Sequence, residues 1–171
     1  MIHGDRVVLR SMEPADTDDV LRMRSAPEVV AQLFTEKPMT RDGHLSWLEQ
    51  ITAQGIRQEF MIVEHVSGQS IGTVGLSHID TTHRRAEFGI LIGQAEARRK
   101  GRAFEAGRLL LDYAFNKLGL HRVFLHVFAD NEPAIRLYRK LGFVEEGLLR
   151  QHVFKNGRYR DVVVMGMHQG V

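Results

Sequence analysis

The sequence predicts a mixed α/β fold, a sheet with helices on its faces, and three observations lead there. Arg85 to Ile92 reads as a strand, "AGRLLLDYAFNKLG" as a helix ending at Gly119, and His121 to Phe128 as another strand. A strand, a helix and a strand in that order usually form a right-handed parallel unit. The C-terminal run "GLLRQHVFKNGRYRDVVVMGM" reads as two strands around Asn156-Gly157, a dipeptide suited to the left-handed angles of a type I′ turn. Finally, 43% hydrophobic and 26% charged residues are ordinary for a globular chain, and 171 residues are most simply one domain, 1–171.

The remaining elements follow in order. Arg6 to Arg10 is a first strand. "EPADTDDVLRMRS" carries its acids early and its cations late, as a helix macrodipole favours. After the irregular "APEVVAQLFTEKPM", Thr40 is placed to cap a second helix, in which His44, Leu48 and Ile51 recur at helical spacing. "EFMIVEH", the turn "SGQ" and "SIGTVGLSHI" form a hairpin. In "DNEPAIRLYRKLG" Asn131 is the N-cap of a short helix, Pro133 is tolerated in its first turn, and Gly142 stops it.

Composition excludes several function classes. No apolar run is long enough for a helical membrane span, and "MIHGDRVVLR" lacks a signal-peptide core, so a cytoplasmic location is expected. The absence of cysteine removes disulfide and thiolate chemistry. The nine histidines are scattered without zinc-ligand spacing, so no metal is expected. A formal charge of +2 does not suit a dedicated nucleic-acid binder, so a preference for anions has to come from a local cluster.

That cluster is "EARRKGRAFEAG", Glu96 to Gly107, where a strand hands over to a helix. The first amides of a helix have no intrahelical partner, and Gly101 lets a ligand approach the backbone. Arg98, Arg99, Lys100 and Arg102 surround this turn, and a diphosphate or solvent would both suit them. The Gly-rich spacings of nucleotide P-loops and dinucleotide folds are absent.

"RRKGRA" fits the Arg/Gln-x-x-Gly-x-Gly/Ala signature of the GCN5-related N-acetyltransferases, and "NEPAIRLYRKLGF" resembles the same family's second hallmark. The two are separated by one helix and one strand, and the resemblance runs from about Arg6 to Met167. "HRRAEF" and "KNGRYRD" look particularly like spermidine and ribosomal-protein N-terminal acetyltransferases. The resemblance implies a mostly antiparallel mixed sheet with one splayed parallel pair. It also implies acetyl-coenzyme A as donor, its pyrophosphate on the amides of Arg98 to Ala103 and its pantetheine arm along Phe88, Ile90, Leu91 and Ile92. Asn131 would be a coenzyme contact as well as a cap. The turn departs from the family's usual pattern in having Arg99, Arg102 and Ala103 where relatives often have glycine, an apolar side chain and glycine.

Moving acetyl from sulfur to an amine requires a deprotonated amine, donors for the oxyanion, and a proton for the departing thiolate. By family position Tyr138 gives that proton and also contacts the coenzyme, although Ile135, Tyr138 and Leu141 equally form a core stripe. Glu87 is the candidate base, directly or through water, on a strand face shared with Gly89 and Leu91. His78, His83, His126 and His152 are further candidates for the acceptor side. Arg24, His44 and Trp47, with Glu87, are expected to bind the acceptor, Trp47 as a groove wall. The loop of the first two helices offers only Glu28, Glu36 and Asp42, beside Arg24, Lys37 and Arg41, which discounts a polycation. The expected order of acceptors is a nucleotide-linked amino sugar, a protein N-terminus, then a polyamine. A silent acyl-coenzyme A binding module, a basic nucleic-acid module and a homo-oligomeric assembly remain as alternatives.

Overall fold

A computed structural model describes residues 1–93, 95–98 and 100–170. The strands are β1 (Ile2–His3), β2 (Val7–Ser11), β3 (Gln58–Glu64), β4 (Ser70–Asp80), β5 (Arg85–Ile92), β6 (Arg122–Phe128), β7 (Val144–Lys155) and β8 (Arg158–His168). The helices are α1 (Thr17–Arg24), α2 (Pro27–Val30), α3 (Arg41–Gln54), α4 (Ala95–Arg98), α5 (Arg102–Asp112) and α6 (Glu132–Leu141). One eight-stranded sheet has the order β1-β2-β3-β4-β5-β6-β8-β7. Every pairing is antiparallel except β5 with β6. This is the mixed sheet with one parallel pair that the sequence predicts.

Local signals behave as their chemistry requires. The Thr40 hydroxyl accepts from the Gly43 amide at 3.0 Å, and His44, Leu48 and Ile51 are the buried stripe of α3. Asn131 Oδ1 accepts from the Ala134 amide at 3.3 Å, and Gly142 ends α6 at φ +107°. Asn156 and Gly157, at φ +51° and +77°, turn β7 into β8. Three elements were not predicted: β1, which pairs with β2, α2, a single turn inside the run expected to be irregular, and α4, a single turn at the start of the basic stretch read as a turn.

The two sheet faces carry different layers. Ala86, Phe88, Val123, Leu125 and Val127 pack with Leu110 of α5 and with Ile135 and Tyr138 of α6 in the larger core. On the opposite face Val20 and Met23 of α1 pack with Met61 and Leu91. Strand alternation therefore sends Phe88 towards α6 and Glu87, Gly89 and Leu91 towards α1.

The β7–β8 hairpin fastens the segment after α2. Lys155 is 1% exposed, and its ammonium donates to the carbonyls of Val30 and Leu33. The Glu36 carboxylate accepts from the Asn156 amide, and Arg160 Nη1 donates to the Ala31 carbonyl at 3.0 Å.

Candidate active site

The basic turn is built by Gly101 at φ +76°, where a Cβ would lie 3.1 Å from Arg6 Nη1. The first helical bond of α5 runs from the Glu105 amide to the Gly101 carbonyl at 3.0 Å. The amides of Arg102, Ala103 and Phe104 precede it and have no intrahelical partner. Two of the predicted cations are engaged locally. Arg98 Nε donates to the Ile92 carbonyl at 3.1 Å and Nη2 lies 3.5 Å from Glu28, while Arg102 pairs with Glu64. The Ser67 hydroxyl, with Arg102 and Lys100, holds the Glu64 carboxyl below its ordinary range. Lys100 is exposed, and Arg99 lies outside the described residues. A bare glycine bend, free helix amides and an uncovered lysine fit a phosphate group.

Beyond the turn, β5 and β6 part. Their ladder consists of Arg85↔Arg122, Ala86↔Val123 and Glu87↔Phe124, and it stops there. From Phe88 to Ile92 the β6-facing edge of β5 has no strand partner, so its amides are free to meet a thioester or an oxyanion. Phe88, Ile90 and Ile92 join the core on the α6 side, whereas Leu91 joins the α1 side, so the four candidate cofactor contacts line both mouths of the gap.

Tyr138 stands at the α6 mouth. It is 8% exposed, with its ring centroid 6.2 Å from that of Phe88, the first residue beyond the last β5–β6 pair, and 6.0 Å from that of Phe143. Burial pushes its pKa up to about 12, so the phenol keeps its proton at neutral pH and is a weaker acid than a free tyrosine. Asn131 spends Oδ1 on its cap and retains its NH₂ as a donor.

Glu87 stands on the opposite face. Its side chain is 23% exposed; one oxygen lies 2.6 Å from His126 Nδ1 and the other 3.1 Å from His78 Nδ1. A neutral His126 that gives Nδ1–H to this carboxylate keeps a lone pair on Nε2. Sequence reasoning had His126 only as one of several wall residues. His126 shares a strand face with Phe124, which pairs with Glu87, so the pairing follows from the register of the β5–β6 ladder.

A residue missed altogether is Glu59. It lies on β3 in the same cross-strand row as Gly75 and Gly89, and its Oε2 would be 2.5 Å from a Cβ at Gly75. Its Oε1 accepts from Arg57 Nε at 2.7 Å, and burial raises its pKa against the opposing pull of Arg57 and Arg24. At Gly89 a Cβ would meet nothing within 4 Å. Gly75 therefore lies under the Glu59 carboxyl, whereas Gly89 leaves bare backbone beside the gap.

The other acceptor-side candidates do not converge. His44 is 0% exposed: its Nδ1 lies 3.0 Å from the Thr17 hydroxyl, and burial and then Arg24 lower its pKa. It joins α3 to α1 and offers no surface to a ligand in this conformation. Trp47 packs under the Arg57 guanidinium at 5.0 Å, and Arg41 pairs with Asp18. Arg24 and Lys37, with Thr40, border a cavity of about 340 Å³ that is widely open to solvent. Among the described residues no three His, Asp or Glu side chains gather as a metal would require, and no helix is long and apolar enough to cross a membrane.

Comparison with known proteins agrees with this geometry. The acetyltransferase (GNAT) domain profile matches residues 6–144. The spermidine N(1)-acetyltransferase of Escherichia coli strain K12 is 37% identical over 163 residues, 95% of this chain and 86% of that protein. An L-amino acid N-acetyltransferase of the same strain is 30% identical over 162 residues, 93% of this chain and 96% of the other. The crystal structure of Vibrio cholerae spermidine N-acetyltransferase with CoA and spermine superposes with a TM-score of 0.90 at 32% identity, covering 97% of both chains. These relatives restore polyamines to consideration and lend nothing to the expected nucleotide-linked amino sugar. The structure removes part of that expectation's basis, because Glu28 turns to Arg98, Arg41 to Asp18, and His44 is enclosed. With the splayed pair, the phosphate-sized bend and a family match over most of its length, the chain belongs to the GCN5-related N-acetyltransferases, enzymes whose donor is acetyl-coenzyme A.

Proposed function

We propose that the chain moves acetyl directly from acetyl-coenzyme A to a small primary amine while both are bound. The observation that carries this reading is the end of the β5–β6 ladder at Glu87↔Phe124, which opens the sheet between Tyr138 on one face and Glu87 with His126 on the other. The diphosphate would lie on the amides of Arg102 to Phe104, and the thioester in the gap. Glu87 orients His126, whose Nε2 takes a proton from the ammonium group. The freed nitrogen lone pair forms the new bond to the acetyl carbon, and β5 amides hold the oxyanion. The carbon–sulfur bond breaks, and the thiolate takes the Tyr138 proton.

Among acceptors, a polyamine is the alternative that the spermidine-acting relatives favour. Contact between copies of the chain is best sited on β7, one of the sheet's two edge strands, where Val144, Leu148 and Phe154 are exposed.

The test is thiol release from acetyl-coenzyme A across polyamines, amino acids, amine phosphates and short peptides. Turnover with at least one amine is expected. Tyr138→Phe should lower kcat by about 10²–10⁴-fold with little change in cofactor Kd. Full activity in Tyr138→Phe would remove the tyrosine from the mechanism, and cofactor binding without turnover would favour the silent binding module.

A further inference from the structure

The cavity of about 340 Å³ on the α1 side is lined by Arg24, Thr35, Lys37, Met39 and Thr40, a volume suited to a small molecule. It belongs to the acceptor face: Arg24 follows Met23, whose side chain packs with Leu91 and fills the space over Gly93, just past the end of β5.

Arg24 is half-buried and has no ion pair or hydrogen bond among the described residues. The one carboxylate that supports its charge, Glu59, is taken, and four others of α1, α2 and their adjoining loops are paired as well. Glu59 is bonded to Arg57 at 2.7 Å, Glu28 faces Arg98 at 3.5 Å, and Asp16 holds Arg10 at 2.7 Å. Asp18 is paired with Arg41, and Glu36 accepts from the Asn156 amide. Arg24 and Lys37 are the charged residues among those that line the cavity, and neither has an ion pair among the described residues. Burial works against the Arg24 charge and Arg57 repels it, with Glu59 alone in its favour. An arginine nonetheless stays charged, so a partly desolvated guanidinium on a cavity calls for an anion.

We propose that the acceptor is a primary amine that also carries a carboxylate or a phosphate. Its anionic group rests on Arg24 and Lys37, and its amine reaches over the bare Gly89 backbone towards Glu87 and His126. This rests on the acetyl-transfer reading and narrows its substrate class. Of this loop's carboxylates, Glu28 and Glu36 are already engaged by Arg98 and the Asn156 amide, which leaves Asp42 alone among the three to meet a polycation.

The test is kcat/KM for primary amines of equal length ending in methyl, carboxylate, phosphate or ammonium, with parent, Arg24→Gln and Arg24→Lys proteins of matched thermal stability. The parent should prefer a carboxylate or phosphate terminus, and the two arms separate those anions. Arg24→Gln should shrink the anion-to-methyl ratio about 10–100-fold through KM, the range for a hydrogen bond to a charged group, and Arg24→Lys should restore part of it. A parent preference for the ammonium terminus, or an Arg24→Gln effect equal on all four amines, would overturn the inference while leaving acetyl transfer intact. Absence of transfer to any amine, with acetyl-coenzyme A still bound in calorimetry, would overturn the transferase reading and this inference together.

Discussion

Gly75 and Gly89 face each other across β4 and β5, yet they are glycines for different reasons. A Cβ at Gly75 would strike Glu59 Oε2 at 2.5 Å and the Gln58 carbonyl at 2.7 Å, so packing demands the glycine. At Gly89 a Cβ meets nothing within 4 Å, so folding makes no such demand. Gly89→Val should therefore keep or slightly raise the melting temperature, since a β-branched residue suits a strand, while raising the acceptor KM at least about 10-fold. Thermal melts and steady-state kinetics on one preparation check both halves. Asp16 gives a stability prediction. Burial opposes its charge, but Arg10, hydrogen-bonded through both nitrogens at 2.8 and 2.7 Å, and the Glu13 amide outweigh this and hold the carboxyl below its ordinary range. A depressed folded pKa adds stability above the unfolded value, and that stability is lost as pH falls through the folded one. Stability should drop as pH falls below about 4, and urea titrations should show a shallower drop in Asp16→Asn.

The elements differ in how far their neighbours in sequence determine them. Thr40, Asn131, Gly142 and Asn156-Gly157 act within a turn of themselves, and each ends or begins an element where the sequence predicts. Glu59 and Lys155 escape such reasoning. Each is a charged residue in a strand, and only pairing with distant segments decides that one lies over Gly75 and the other against α2. The catalytic candidates fall between these cases: Glu87 and Tyr138 are legible through family position, but the His126 partnership needs the β5–β6 register. Lys155 also makes the β7–β8 hairpin a clasp on the loop that carries Thr35 and Lys37. Lys155→Met would remove the ammonium from both carbonyls and leave that of Leu33 unpaired, Val30 keeping the Leu33 amide, at a cost of roughly 1–3 kcal/mol. Loosening is expected in the acceptor loop, so acceptor KM should rise while cofactor Kd, set by α5 on the other side of the sheet, stays constant. Calorimetry with coenzyme A beside acceptor kinetics separates the two.

At the scale of the molecule, the sheet is a partition with one opening. The Gly101 bend and Tyr138 belong to the α5–α6 side, and Glu87, His126, Glu59 and Arg24 to the α1–α3 side. In the proposed mechanism donor and acceptor meet where β5 and β6 stop pairing. A crystal structure with coenzyme A bound tests this most directly. The diphosphate is expected on the amides of Arg102 to Phe104 and the sulfur between Phe88–Ile92 and Leu125–Phe128, within hydrogen-bond reach of the Tyr138 hydroxyl. A sulfur outside that opening, or one separated from Tyr138 by an intact strand, would contradict it.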